Sequence, residues 1–173
     1  GTDAFQETDI FGITLPIVKH SWVVRDPADL AGVVAEAFFI ASSGRPGPVL
    51  IDIPKDVGQE MFDYFSVAPG SLIPPGFRLP SSPEIIEIEH ALELIENAQR
   101  PLLYVGGGVI SAGAHESLFA LAQRYQLPVT TTLMGKGAFN ECDPLSVGML
   151  GMHGTAYANF SVTECDLLVA IGA

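Results

Sequence analysis

Apolar residues recur at helical spacing between residues 27 and 43, and this periodicity predicts the first clear helix of the chain. Asp26 is the predicted N-cap, Pro27 suits the first helical position, and Gly44 follows the last turn. Asp29 can reach back as the acid of a capping box. The predicted inward stripe of this helix comprises Leu30, Val33, Val34, Ala37, Phe38 and Ala41.

A short apolar run, Val49 to Ile53, follows this helix and predicts a strand covered on both faces. In the second half of the chain, apolar runs alternate with helical patterns, which predicts an α/β fold with a parallel sheet and right-handed crossovers. The predicted helices there run from Ser82–Glu84 to near Asn97, over about 112–126 and over about 156–163, and the predicted strands are 101–105, 127–132 and 166–173.

Residues 66–83 interrupt these patterns, because prolines and glycines recur there without a helical or strand period. Such a composition is typical of a linker. The sequence therefore predicts two folded parts, residues 1–65 and residues 84–173, joined by residues 66–83.

Composition excludes several classes of protein. The 173 residues are 48% hydrophobic and 16% charged, which favours a buried core over disorder. A net charge of −12, with scattered Lys and Arg residues, argues against nucleic-acid binding. The longest uncharged run, residues 144–163, contains glycines, a histidine and hydroxyl groups and does not suit a membrane span. Since the chain begins at Gly1 with neither Met nor a signal-peptide pattern, we expect a soluble fragment of a longer protein.

Cys142 and Cys165 form no CxxC motif and have no His at ligand spacing, so two free thiols are predicted rather than a metal site or a disulfide. No Ser-His-Asp set, carboxylate pair or metal cluster stands out either. We therefore expect no self-sufficient catalytic centre within this chain.

Glycines follow three of the predicted strands, at the edge where open α/β sheets bind ligands. Gly106–Gly108 allow a phosphate or a ring to approach the backbone, although a tight turn without a ligand explains this run equally well. The strand ends "TTLMGKG" and "AIGA" make a ligand crevice the better interpretation. An ordinary nicotinamide dehydrogenase is disfavoured, because Ser111 replaces the third glycine of its fingerprint and the next strand lacks a terminal acid.

Lone cations are a second group of candidates. Lys19 follows the apolar run "ITLPIV", Lys55 follows the strand Val49–Ile53, and Arg45 lies between Gly44 and a proline. Each could lie at a strand end facing a charged ligand, although a surface ion pair is the commoner role of a single Lys.

The segment "MLGMHGTAYAN", residues 149–159, places Met and His around glycines. It could form an apolar wall with a polar tip against a flat ligand. Taken singly, Met149 and Met152 are more typical of core positions, and His153 of a hydrogen-bonded core or surface histidine.

Several segments, in order, resemble the catalytic large subunit of the acetolactate synthase (acetohydroxyacid synthase) family of thiamine-diphosphate enzymes. They are "GTDAFQE", "PIVKHS", "AFFIASSGRPGPVLIDIPKDV", "LYVGGGV", "TTLMGKGAF" and "MLGMHGTAYAN". The resemblance covers almost the whole chain. It implies that residues 1–65 are the end of an aminopyrimidine-binding domain and that residues 84–173 are the first half of a Rossmann-like central domain that holds FAD.

The resemblance also implies an activity. Thiamine diphosphate and Mg²⁺ would support the decarboxylation of pyruvate and its condensation with a second 2-ketoacid, either pyruvate or 2-ketobutyrate, in branched-chain amino-acid biosynthesis. FAD would have no net redox role. The activating Glu and the metal ligands would lie outside this chain.

Residue roles carried over from the family divide into three groups. Gln6 would contact thiamine diphosphate across a dimer interface. Phe5 would line the substrate pocket, and Lys19 would lie at the mouth of the active-site channel, where inhibitors bind. The positions implied for FAD are Arg45, Gly106, Gly107, Gly108, Thr132, Leu133, Leu150, Gly151, Met152, His153 and Gly172.

The family further implies a homodimer or homotetramer of catalytic subunits, a regulatory small subunit, and a cytoplasmic location in bacteria or a plastid location in plants and algae. Two alternatives stay open. One is another thiamine-diphosphate enzyme, such as glyoxylate carboligase or pyruvate oxidase. The other is a nucleotide-binding module without catalytic activity.

Overall fold

The computed structural model describes residues 7–67, 77–78 and 81–173. Contacts between Cα atoms divide the chain into two compact units, Gly1–Ser81 and Ser82–Ala173. Each unit has helices and parallel strands, which confirms the predicted α/β class. Most of the predicted linker lies outside the described residues. None of the described helices has the length and apolarity needed to span a bilayer.

The first unit is built on two parallel strands, with Ser21 paired to Leu50. Its buried apolar side chains include Val24, Ala37 and Val57. In chain order its elements are α1 (Ile10–Thr14), β1 (Ser21–Val23), a 3-10 turn (Pro27–Asp29), α2 (Leu30–Ser42), β2 (Leu50–Asp52) and α3 (Lys55–Gln59).

The predicted end signals at Asp26 and Gly44 are confirmed, although Asp26 caps the 3-10 turn that leads into α2, and the predicted capping box of Asp29 is not formed. The Asp26 carboxylate accepts a hydrogen bond from the Ala28 amide at 2.8 Å, and Gly44 has a φ of 58° just beyond the helix. The predicted stripe is wrong at Phe38, which is 70% exposed. Ala37 and Ile40 are buried, and because neighbouring helical residues are about 100° apart, Phe38 lies roughly 130° from the centre of the face that these two residues define.

The prediction of complete cover for strand β2 is also wrong within the described residues. Residues 50–52 are half-buried, and Ile53 is 45% exposed. The helices of the first unit that pack on this strand are the short α1 and α2, so they leave part of its surface open.

The second unit contains a four-stranded parallel sheet with the strand order β5-β4-β3-β6. The predicted strands are confirmed, and β5 was missed because Gly148, with a φ of 82°, disrupts its pattern. The helix predicted over 112–126 begins later, after a turn at Gly113 with a φ of 62°. The elements are α4 (Ile85–Asn97), β3 (Pro101–Val105), α5 (Gly107–Ser111), α6 (His115–Tyr125), β4 (Val129–Thr131), a 3-10 turn (Leu133–Gly135), β5 (Ser146–Met149), α7 (Ala156–Glu164) and β6 (Leu167–Ile171).

The core of the second unit lies between the sheet and helices α4, α5 and α6. Leu118 and Ala122 of α6 are buried against it, as their spacing predicts. Helical spacing predicts an inward face of Ile85, Ile88, Leu92 and Ile95 for α4, but of these Ile95 is buried and Ile85 is 75% exposed. The buried cluster comprises Ile95, Leu103, Val105, Val109, Leu118, Ala122, Leu127, Val129, Ala138 and Phe139.

Asp166 joins the start of β6 to the turn before β3. Its carboxylate accepts hydrogen bonds from the Arg100 amide at 2.8 Å and the Gln99 amide at 2.9 Å. These two bonds stabilise the charged form and hold the pKa of Asp166 below its ordinary value.

Because the folded-state pKa is lowered, the stability from this carboxylate is present above the unfolded pKa and is lost as pH falls through the folded pKa. Asp166→Asn is therefore expected to lower the melting temperature at pH 7, with a difference from wild type that shrinks below about pH 4. Thermal denaturation at a series of pH values measures this, and the exposed Glu96→Gln is the control. A difference that stays constant down to pH 2 would contradict the assignment.

Candidate cofactor-binding site

The strand order of the second unit places a crevice at one edge of its sheet. From β3 the chain moves outward to β4 and β5, and then crosses back to place β6 on the other side of β3. Ligands of open α/β sheets bind outside the carboxyl ends of the strands at such a reversal. Val105 pairs with both Thr131 and Ile171, so the ends of β3, β4 and β6 are level.

Gly106 and Gly108 lie where the ends of β3 and β6 approach most closely. The Gly106 amide donates to the Ile171 carbonyl and the Gly108 amide to the Gly172 carbonyl, both at 2.9 Å. A Cβ on Gly106 would lie 2.1 Å from the Gly172 oxygen, and one on Gly108 would lie 2.7 Å from the Gly172 Cα. Packing within the chain is therefore sufficient to require glycine at both positions.

Gly107 faces the segment that follows β4. A Cβ there would lie 3.0 Å from the Met134 carbonyl oxygen. The Thr132 amide donates to the Val105 carbonyl at 2.8 Å, and the Thr132 hydroxyl accepts from the Gly135 amide at 2.9 Å. In the turn held by these two hydrogen bonds, Leu133 is 69% exposed and Met134 is 72% exposed.

The loop after β5 is held by polar contacts to α7. Asn159 bonds Gly151 twice, since its Oδ1 accepts from the Gly151 amide at 2.9 Å and its Nδ2 donates to the Gly151 carbonyl at 3.1 Å. The Thr155 hydroxyl donates to the Val147 carbonyl at 2.6 Å. Gly154 is packed so closely that a Cβ would lie 2.0 Å from the Met149 oxygen.

These contacts present two side chains to the surface. Met152 is 92% exposed, so it does not take the core role that its residue type favours, and His153 is exposed at the surface. Gly154, Thr155 and Asn159 hold this loop and were not among the predicted site residues. They lie within "MLGMHGTAYAN", and the signal was the repetition of glycine beside side chains that bond backbone.

The structure thus collects the predicted residues of the second unit at one sheet edge. A close backbone approach at β3 and β6 lies beside exposed apolar side chains that follow β4 and β5. Such a surface suits a flat ring system with polar contacts at its ends. The set comprises Gly106, Gly107, Gly108, Thr132, Leu133, Leu150, Gly151, Met152, His153 and Gly172.

A separate open hollow shares no residue with this set. It measures about 560 Å³ and is lined by residues that include His115, Phe119 and Phe139. Among the described residues, no group of three or more His, Cys, Asp or Glu side chains could hold a metal ion.

Lys19 does not lie where the sequence placed it. The run before it does not form a strand, because Ile10–Thr14 are helical, and Lys19 precedes β1 instead. Its amine donates to the carbonyls of Ile40 and Ser43, at the end of α2. The prediction of a strand-end cation is wrong for this residue, and its place at a channel mouth stays a prediction.

The remaining predicted residues are outside the second unit. Arg45 is exposed and, within the described part of the chain, forms no ion pair or side-chain hydrogen bond. Lys55 is exposed and begins α3 shortly after β2, so it does follow a strand as predicted. Phe5 and Gln6 lie outside the described residues.

Comparison with known proteins identifies relatives along the whole chain. Residues 88–173 match the family model described as the thiamine pyrophosphate enzyme central domain. An acetolactate synthase large subunit from Parasynechococcus marenigrum is 78% identical over 173 residues, which are 100% of this chain and 28% of that protein. The large subunit from Porphyra purpurea is 62% identical over 100% of this chain and 29% of its own length. The chloroplastic acetolactate synthase 1 of Zea mays is 53% identical over 99% of this chain and 27% of its own length.

A solved structure is also similar to this chain. The X-ray structure of a protein from Mycobacterium smegmatis, described as a thiamin diphosphate-dependent enzyme, superposes with a TM-score of 0.73 at 27% identity. The match covers 95% of this chain and 31% of that chain. This chain therefore spans less than a third of the length of the relatives that it matches.

Proposed function

The chain belongs to the acetolactate synthase large-subunit family of thiamine pyrophosphate enzymes, and we propose that the full-length protein is a carboligase that joins two 2-ketoacids. It decarboxylates pyruvate and adds the remaining two-carbon unit to a second ketoacid. Pyruvate as the second substrate gives 2-acetolactate, and 2-ketobutyrate gives 2-aceto-2-hydroxybutyrate. Both products serve branched-chain amino-acid biosynthesis.

The observation that carries this proposal is the 78% identity across all 173 residues to a protein named for this activity. The matched stretch spans the whole chain, so it includes residues 43–48 and 149–159, which carry candidate site residues.

FAD is the ligand that we assign to the carboxyl edge of the second unit. Beside the close approach of β3 and β6, Gly107 is half-buried and Gly108 is exposed, so the start of α5 can meet a diphosphate, as in other switch-point crevices. The exposed side chains of Leu133, Met134 and Met152 offer an apolar surface to a ring, and His153 adds a polar group beside it. The residues present therefore fit this cofactor.

Thiamine diphosphate with Mg²⁺ supplies the carbanion chemistry when bound. In our proposal its metal ligands and activating Glu belong to parts of the protein outside this chain. Gln6 contacts thiamine diphosphate across a dimer interface, and Phe5 lines the substrate pocket. The catalytic subunits form a homodimer or homotetramer and bind a regulatory small subunit. We assign the protein to the cytoplasm in a bacterium or to the plastid in a plant or alga.

The reaction has a defined balance that can be measured. Two pyruvate anions and one proton give one acetolactate anion and one CO₂. The bond from C1 to C2 of one pyruvate breaks, and a new carbon–carbon bond joins the remaining two-carbon unit to the second pyruvate. No electrons leave the substrates, and FAD is not consumed.

The test uses the purified full-length protein with pyruvate, thiamine diphosphate, Mg²⁺ and FAD. We expect one CO₂ for each acetolactate formed, no oxygen uptake, and loss of activity when thiamine diphosphate is withheld. Oxygen uptake in step with pyruvate loss would support a pyruvate oxidase instead. Condensation of glyoxylate alone would support a glyoxylate carboligase, and flavin binding without turnover would support a non-catalytic module.

Arg45→Ala in the full-length protein is expected to weaken FAD binding without unfolding the first unit. Arg45 is exposed and lacks a partner among the described residues, so its guanidinium can serve a ligand phosphate. Loss of a charge-assisted hydrogen bond costs about 1.5 to 3 kcal/mol. Flavin titration of the apoprotein measures this, and an unchanged dissociation constant would remove Arg45 from the proposed site.

A further inference from the structure

Helix α2 ends without a basic residue of its own in the last turn. The final carbonyls of a helix have no partner within it and carry partial negative charge. In α2 the Phe39 carbonyl accepts from the Ser43 amide, and the Ala41 carbonyl accepts from the Gly47 amide at 3.0 Å. The Ile40 carbonyl requires a donor from elsewhere.

Lys19 supplies that donor from a different element. Its amine bonds the Ile40 carbonyl and, at 2.7 Å, the Ser43 carbonyl beyond the helix end. Its backbone amide also donates to the Pro48 carbonyl at 2.8 Å. One residue therefore holds both ends of the segment 43–48, and Arg45 lies in the middle of that segment.

Gly47 provides the space for the Lys19 stem. A Cβ on Gly47 would lie 3.1 Å from the Lys19 Cδ and 3.2 Å from the Lys19 Cγ. Gly44, with a φ of 58°, makes the turn that leads to Arg45. The segment "SGRPGP" is thus shaped by two glycines and fixed by one lysine amine.

We propose that Lys19 is a positioning residue, which holds the segment 43–48 in the conformation that presents Arg45 to the cofactor. This inference rests on the proposed role of Arg45 in FAD binding. Lys19 acts through the end of α2 and the loop, and it does not itself contact the flavin. Its effect should therefore depend on Arg45.

The first experiment measures hydrogen exchange in the loop in the absence of any cofactor. Lys19→Met keeps an unbranched stem beside Gly47 but removes the amine. In the full-length protein, hydrogen exchange of peptides covering residues 44–50 should accelerate about tenfold. Lys19→Arg retains the cation and should restore most of the protection. Arg25→Met, which removes an exposed cation of the same unit, should leave this exchange unchanged.

The second experiment is a double-mutant cycle on FAD affinity. Lys19→Met alone should raise the FAD dissociation constant about tenfold. Arg45→Ala should then weaken binding by less than about threefold in the Lys19→Met background, although it has its full effect in wild type. Gly47→Ala, which crowds the lysine stem, should resemble a weaker Lys19→Met.

The outcomes distinguish the positioning role of Lys19 from the proposed role of Arg45 in FAD binding. Full, additive effects of Lys19→Met and Arg45→Ala would overturn the positioning role while leaving Arg45 as a flavin contact. Unchanged loop exchange in Lys19→Met would also overturn it. No effect of Arg45→Ala in wild type would overturn both assignments, even if the loop exchange changed as expected. If Lys19→Met lowered the melting temperature but left the FAD dissociation constant at the wild-type value, Lys19 would serve only as a helix cap.

Discussion

Gly106→Ala is expected to destabilise the second unit by about 3 kcal/mol and to abolish FAD retention in the full-length protein. The added Cβ would lie 2.1 Å from the Gly172 oxygen and 2.3 Å from the Ala173 Cα. Both atoms belong to backbone, so no side-chain rotation can relieve the overlap, and overpacking of this kind costs about 1 to 3 kcal/mol. Relief requires β3 and β6 to separate, which breaks the Gly106 to Ile171 hydrogen bond and opens the proposed site.

Urea unfolding and flavin content measure this effect. The matched control is Gly58→Ala, because a Cβ there meets only the Ile53 Cγ2, at 3.9 Å, and Gly58 lies within a helix. That control should be neutral or slightly stabilising. Wild-type stability of Gly106→Ala would mean that the strand ends are further apart than the structure places them.

Gly154→Ala is expected to have the second largest effect on stability and FAD binding, because the added Cβ would displace the loop after β5. The new Cβ would lie 2.0 Å from the Met149 oxygen and 2.6 Å from the Leu150 carbonyl carbon. We expect a loss of about 3 kcal/mol, by the same overpacking argument. Since the loop carries Met152 and His153, FAD affinity should fall with stability.

Asn159→Ala provides a graded comparison for this loop. It removes two hydrogen bonds to Gly151 without adding bulk, at an expected cost of about 1 to 2 kcal/mol. Local opening should appear mainly as weaker FAD binding. Asn97→Ala, whose amide bonds only the Glu93 carbonyl in α4, is the control. Normal FAD affinity in both loop variants would exclude residues 150–153 from the cofactor site.

Much of the second unit follows from short-range patterns. The strand at 101–105 was predicted from its continuous apolar run, and the inward positions of Leu118 and Ala122 from helical periodicity, because both patterns are visible within a few residues. The N-cap at Asp26 was predictable for a similar reason, since cap and helix are adjacent in sequence. The order of the motifs was sufficient to identify the family.

The errors have a common cause. Three features depend on which other elements pack nearby. They are the orientation of α2 at Phe38, the exposure of β2 and the start of α1 before Lys19. A local pattern does not carry this information. Strand β5 was missed because Gly148 bends it and a bulge shifts its register with β4, so its side chains do not alternate regularly.

The sequence by itself determined the α/β class, the order of the main elements, the family and the positions of the glycine runs. Each of these is encoded by residues within a few positions of one another. Only the tertiary structure decided why Gly106 must be glycine, because its neighbour Gly172 is distant in the chain. It likewise decided that Lys19 bonds the end of α2. Such contacts form when distant segments close against each other, and no local pattern records which groups will then meet.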